Sequence, residues 1–197
     1  MRGILDRLEK RPVILLMMAA FVIMIGTLVT VVLPFRWISE QRPAPSAQAP
    51  YNALQLEGRD IYIREGCNNC HTQTVRRVMA DVVRYGEPSR AEESAWDRPF
   101  LWGSRRTGPD LARIGGKYPD QWHYVHLDNP QELAPRSNMP SYAFLRLPLD
   151  TSLTERKMRT LGFPYMKEEI SALKGKTEMD ALVAYMQKLG TGAGKRE

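Results

Sequence analysis

From Pro12 to Phe35 the chain runs 24 residues without an Asp, Glu, Lys or Arg, and 19 of the first 22 are Val, Ile, Leu, Met, Ala, Phe or Gly. No polar stripe of helical period interrupts the run, so it does not read as the one-sided helix of a soluble core. At ~1.5 Å per residue, about 20 residues cross the ~30 Å hydrocarbon layer, and the pattern predicts a membrane-spanning helix over 12–35. A cleaved signal peptide is the rival reading, because the first 11 residues are basic and Ala47-Gln48-Ala49 resembles a small-x-small cleavage site. The apolar run exceeds a signal core of about 7–15 residues. The Ala-x-Ala also lies 14 residues beyond Phe35, across a charged, Pro-rich stretch, so the segment reads as an uncleaved anchor.

Beyond the anchor the pattern changes period. Gln41 to Pro50 has three prolines and no apolar repeat, which predicts a semi-rigid spacer of ~3.1 Å per residue. Leu54, Gly58, Ile61 and Tyr62 then mark one face of a helix over 54–65. Met179, Leu182, Val183, Met186 and Leu189 mark another, opened by the capping pair Thr177 and Asp180 and closed by Gly190. Gly58 would let these two helices approach closely at Tyr185, and a third helix is expected over 120–127. The expected architecture is mainly α: a cytoplasmic N-terminus (1–11), a transmembrane anchor (12–35), a Pro-rich linker (36–50) and one folded domain (51–197).

Charge adds orientation. Arg2, Arg7, Lys10 and Arg11 precede the anchor, while only Arg36 and Arg42 lie in the 15 residues after it. The positive-inside rule keeps the N-terminus in the cytoplasm and places the folded domain outside, in the periplasm for a chain of a bacterial inner membrane. The chain carries a formal +6, but residues 51–197 hold 22 basic and 19 acidic residues. A net +3 without a dense basic stripe gives no motive for nucleic-acid binding. Arg98, Arg105, Arg106, Arg113 and Lys117 form a loose basic run, for which a solvated face is the default expectation.

The chain has only two cysteines, and both fall in Cys67-Asn68-Asn69-Cys70-His71. In C-x-x-C-H the two thiols are spaced to add across the vinyl groups of one haem, and the adjacent imidazole can coordinate its iron. A thioredoxin-like C-x-x-C expects a βαβ context that the pattern lacks, and zinc would need further ligands, with only His123 and His126 available. For the sixth iron ligand, Met139 stands out in Pro135-Arg136-Ser137-Asn138-Met139-Pro140, a loop whose two prolines forbid regular helix and stiffen the backbone. Met158, Met179 and Met186 fall at core spacing, Met79 and Met166 carry no clear signal, and His123 and His126 remain fallback ligands. In Thr107-Gly108-Pro109-Asp110-Leu111 the Pro109 carbonyl is a candidate acceptor for the free N–H of a ligating imidazole.

A helix pair framing C-x-x-C-H, Gly-Pro and a Met loop resembles the class I cytochrome c fold. The segments 51–76, 98–130, 135–142 and 161–190, with Gly58-Arg59-Asp60-Ile61-Tyr62 before the haem motif and Trp102-Gly103-Ser104 after it, resemble the monohaem subunit II (CcoO/FixO) of cbb3-type cytochrome c oxidases. The resemblance implies one covalent haem c, with thioethers at Cys67 and Cys70, His71 and Met139 as iron ligands and Pro109 as the imidazole's acceptor. It further implies electron transfer from a dihaem cytochrome c subunit III, through this haem, to haem b of catalytic subunit I. That subunit reduces oxygen at haem b3 and copper and pumps protons, so this chain would be its non-catalytic wire. A membrane-tethered cytochrome c shuttle and a haem enzyme or gas sensor with an open iron are the competing functions.

Overall fold

A computed structural model describes residues 10–40, 49–97 and 99–191. The chain divides into two compact units, Met1–Ala44 and Pro45–Glu197. Arg2 and Arg7, most of the Pro-rich spacer and Arg98 lie outside the described residues.

The first unit is helical from Pro12 to Glu40. Helix α1 (Pro12–Thr27) opens with proline at its first position, runs into a π-helical turn (Leu28–Val32) and continues as α2 (Leu33–Glu40). The Thr30 hydroxyl donates to the Gly26 carbonyl at 2.7 Å, a local bond that satisfies a hydroxyl within an apolar stretch. Residues Pro12–Trp37 form a 26-residue candidate membrane span, and none of its apolar window is buried by protein. The core helix of a soluble protein would be covered, so the exposed apolar surface fits a membrane anchor.

The second unit is mainly helical, with no strand among its described residues. Helix α3 (Ala53–Arg64) begins at a reciprocal cap in which Asn52 and Gln55 satisfy each other's backbone N–H. The remaining helices are α4 (Met79–Tyr85), α5 (Asp120–Asp128), α6 (Pro130–Leu133), α7 (Thr154–Leu161), α8 (Lys167–Ser171) and α9 (Glu178–Lys188). Helix α9 starts at the expected Thr177–Asp180 box, the Thr177 hydroxyl accepting from the Asp180 N–H at 3.1 Å.

Helices α3 and α9 cross at Gly58. A Cβ there would stand 1.9 Å from the Ala181 carbonyl oxygen and 2.8 Å from Tyr185 Cβ, so only glycine allows this approach. Around the crossing Tyr62 and Tyr185 pack with ring centroids 5.4 Å apart, and Leu56, Ile61, Met179, Leu182 and Met186 close the core. Met158 is also buried, while Met79 and Met166 lie on the surface. Burial beside Glu57 is compensated: its carboxylate accepts from the Thr154 hydroxyl at 2.6 Å and from Lys157 at 2.7 Å.

The crossing also supports the loops between the helices. Gly115 donates to the Leu189 carbonyl at 2.9 Å at the end of α9, and a Cβ on Gly115 would lie 2.4 Å from the Gln187 and Leu189 carbonyl oxygens. The segment after Pro109 is thereby seated on the α9 terminus.

A candidate haem-binding site

The C-x-x-C-H turn follows directly from the end of α3. Gly66, at φ +68°, lets the chain reverse after the helix, and residues Cys67–Asn69 form a single 3-10 turn. The Cys67 carbonyl accepts from Cys70 N–H at 3.2 Å and from His71 N–H at 2.8 Å, which gathers both thiols and the imidazole on one turn. The Tyr62 hydroxyl, on α3, donates to the His71 carbonyl at 3.2 Å and ties the turn to the core. Both cysteines are free of a disulfide, Cys67 half-buried and Cys70 exposed.

Burial, reinforced by the nearby Glu65 carboxylate, pushes the Cys67 thiol up to about 12. A redox-active C-x-x-C works through a thiol shifted the other way, toward neutrality. Among the described residues no group of three His, Cys, Asp or Glu side chains is placed to hold a metal ion, as zinc would require.

The His71 ring is held from two sides. Its Nδ1 lies 2.8 Å from the Pro109 carbonyl oxygen. A carbonyl only accepts, so Nδ1 carries the hydrogen, and in the neutral ring the lone pair is left on Nε2. Gly108 packs flat on the ring: a Cβ there would fall 2.1 Å from His71 Cε1 and 2.6 Å from each ring nitrogen. The segments meet through Gly108 N–H to the Cys70 carbonyl at 3.1 Å and Leu111 N–H to the Thr72 carbonyl at 2.9 Å.

Met139 occupies the loop after α6, half-buried against the hydrophobic core, with its N–H donating to Ser137 Oγ at 3.2 Å. This loop is fastened to the end of α5 by Tyr142 N–H to the Leu127 carbonyl at 2.8 Å and by the Ser141 hydroxyl to the Asp128 carbonyl at 2.5 Å. Two electrostatic effects reach between these elements and the cysteine turn. Burial and then the fields of Cys67 and Cys70 push up the Tyr142 hydroxyl, and burial and then His71 push the His126 imidazole down. His71 and Pro109 are in direct contact, and Met139 packs against the core from its own loop.

The family model for the mono-haem subunit of cytochrome c oxidase, FixO, matches residues 5–177 of the chain. The chain belongs to the FixO family. No individual curated protein matches it. As a FixO-family member the protein is a cytochrome c, a component of a multi-subunit respiratory oxidase, and carries one haem. The residues around the cysteine turn fit that group: two free thiols, an imidazole with its Nε2 lone pair unspent, and a glycine where any side chain would displace the ring.

Three features of this FixO-family chain depart from the sequence expectations or extend them. His123, a fallback ligand in the sequence reading, is buried with its ring edge-on to Tyr118 and Trp122, and burial pushes its pKa down. Two members of the basic run are paired rather than solvated, Arg106 with Asp81 at 2.8 Å and Asp110 at 3.2 Å and Arg113 with Glu93 at 2.6 Å, while Arg105 and Lys117 are exposed. Gly108 and Asp110 emerge as structural parts of the site, although the sequence offered them only as turn residues beside Pro109.

Proposed function

We propose that this chain is the monohaem c electron-transfer subunit of a cbb3-type terminal oxidase. In this reading Cys67 and Cys70 hold one haem c through thioether bonds, and His71 and Met139 hold its iron. Bound there, the haem supplies reversible one-electron transfer between ferric and ferrous states at the positive potential that His/Met ligation favours. The observation that carries the reading is the His71–Pro109 contact at 2.8 Å within a C-x-x-C-H turn.

The chain's own residues then have separable tasks. Pro109 takes the Nδ1 hydrogen, which would leave Nε2 as the atom that donates to the iron. Gly108 keeps the space beside the ring open to nothing but the ring. The two prolines flanking the Met139 loop and its bonds to the α5 terminus hold the thioether against the core, which favours a closed, six-coordinate site over one that binds oxygen. The cysteines fix the cofactor to the turn that carries the proximal ligand.

Electrons would enter from a dihaem cytochrome c subunit III and leave to haem b of catalytic subunit I, where oxygen is reduced at haem b3 and copper with proton pumping. The anchor over 12–35 would hold the N-terminus in the cytoplasm and residues 51–197 in the periplasm of a bacterial inner membrane, in contact with lipid. Redox titration of the complex tests the ligand set: Met139→Ala should lower the midpoint potential of this haem strongly, and an unchanged potential would remove Met139 as the ligand.

A further inference from the structure

The side chain of Asp110 is fully buried, one residue after the carbonyl that holds His71. Its Oδ1 accepts from Ala112 N–H at 2.7 Å, and its Oδ2 from Thr74 N–H at 3.2 Å. One carboxylate thus joins the segment that follows His71 to the segment that contains Pro109. Arg106 closes the same junction from the other side: its Nη2 donates to the Thr74 carbonyl at 3.0 Å and contacts Asp110 Oδ2 at 3.2 Å and Asp81 Oδ2 at 2.8 Å. Asp81 is the buried residue of α4 and is gripped in turn by Arg76 through Nε at 2.8 Å and Nη2 at 3.0 Å. His71 and Arg106 themselves face each other as an antiparallel bridge pair.

A buried carboxylate with this many donors costs more to desolvate than a turn requires, since a glycine-proline turn closes with backbone bonds alone. What the cluster adds is fixed register between two otherwise irregular segments, 70–74 and 106–112. The Nδ1–Pro109 bond depends on that register. We propose that Asp110 and Arg106 are positioning residues for His71: together they clamp these two segments so that the Pro109 carbonyl stays on Nδ1 and sets the donor strength of Nε2. The proposal rests on the reading of His71 as an iron ligand. It also gives α4 a task, because Asp81 holds the guanidinium that holds the clamp.

The hydrogen bond at Nδ1 makes the imidazole a stronger donor and stabilises the ferric iron, so loosening it raises the midpoint potential. Through-space charge gives a different pattern. Losing the Asp110 carboxylate would raise the potential, but losing the Arg106 cation would lower it. The clamp predicts an increase for both.

The test uses the full chain with its haem, in detergent, as wild type, Asp110→Ala, Asp110→Asn, Arg106→Gln and Arg106→Lys. It measures midpoint potential and solvent exchange of the hyperfine-shifted His71 Nδ1–H by NMR. Asp110→Ala and Arg106→Gln should speed that exchange about tenfold, the net worth of roughly one hydrogen bond, and raise the potential. Arg106→Lys should fall between Arg106→Gln and wild type, and Asp110→Asn, which is closest in shape and keeps the proposal testable if the alanine variant fails to fold, should exchange faster than wild type. Wild-type exchange in folded variants, or a lowered potential in Arg106→Gln, overturns the clamp. Absence of any His-ligated signal in the wild type instead overturns the ligand reading, and the clamp with it.

Discussion

At the scale of single residues, the site is defined as much by what is missing as by what is present. Gly108 contributes no atom to the chemistry, yet a methyl group there would overlap the His71 ring. Gly108→Ala should therefore displace the imidazole and convert low-spin haem to a mixture with a high-spin component, read from the absorption spectrum; a wild-type spectrum would show that the ring has room to move. His123 offers a pH test. Burial lowers its folded-state pKa below the ordinary value of about 6.5, so the unfolded chain binds more protons below that pH. Its contribution is complete above about pH 6.5 and is lost as pH falls toward the lower folded value. Urea midpoints measured from pH 8 to 5 should fall more steeply for wild type than for His123→Gln, and parallel curves would contradict the assignment.

At the scale of elements, the α3–α9 crossing carries the domain. Gly58→Ala puts a Cβ into the Ala181 carbonyl, and forced repacking of this kind costs about 1–3 kcal/mol or more, so thermal unfolding should come at a clearly lower temperature. Thr177→Ala removes the α9 cap and should cost ~1 kcal/mol in chemical denaturation. Both helices were legible in the sequence because their signals are local: the apolar spacing repeats within each segment and Thr177 caps its own third residue, whereas the Asn52 cap of α3 is seen only in the structure. The cysteine turn and the Pro109 carbonyl were legible for the same reason, being short motifs with a fixed chemical logic. The cluster of Asp81, Arg106 and Asp110 was not, because its members lie on separate segments and a run of arginines in sequence resembles a solvated face until their acids are located. His123 shows a similar limit. Its helix could be read from the sequence, but the burial of its ring is a matter of tertiary packing, with Tyr118 and Trp122 edge-on to it.

At the scale of the whole molecule, an uncovered apolar helix and a haem-binding domain share one chain. The anchor carries no charge from Pro12 to Phe35, and its window is free of protein cover. Ile23→Arg, near the middle of that run, places a cation at a cost of about 2.5–3.5 kcal/mol on insertion scales, and should shift a measurable fraction of the chain from the carbonate-resistant membrane fraction to the soluble one. Full retention in the membrane would mean that something other than this helix holds the protein there. The domain's modest net charge suits a carrier attached beside its partner, since long-range steering matters most for partners that must find each other by diffusion. Covalent binding of one haem by the two cysteines of this chain can be read from the intact mass of the denatured chain purified from its membranes. The mass should be that of the polypeptide plus one haem, reduced to the polypeptide alone in a Cys67→Ala, Cys70→Ala double variant; the unmodified polypeptide mass in a wild-type chain from a functioning oxidase would rule out covalent attachment.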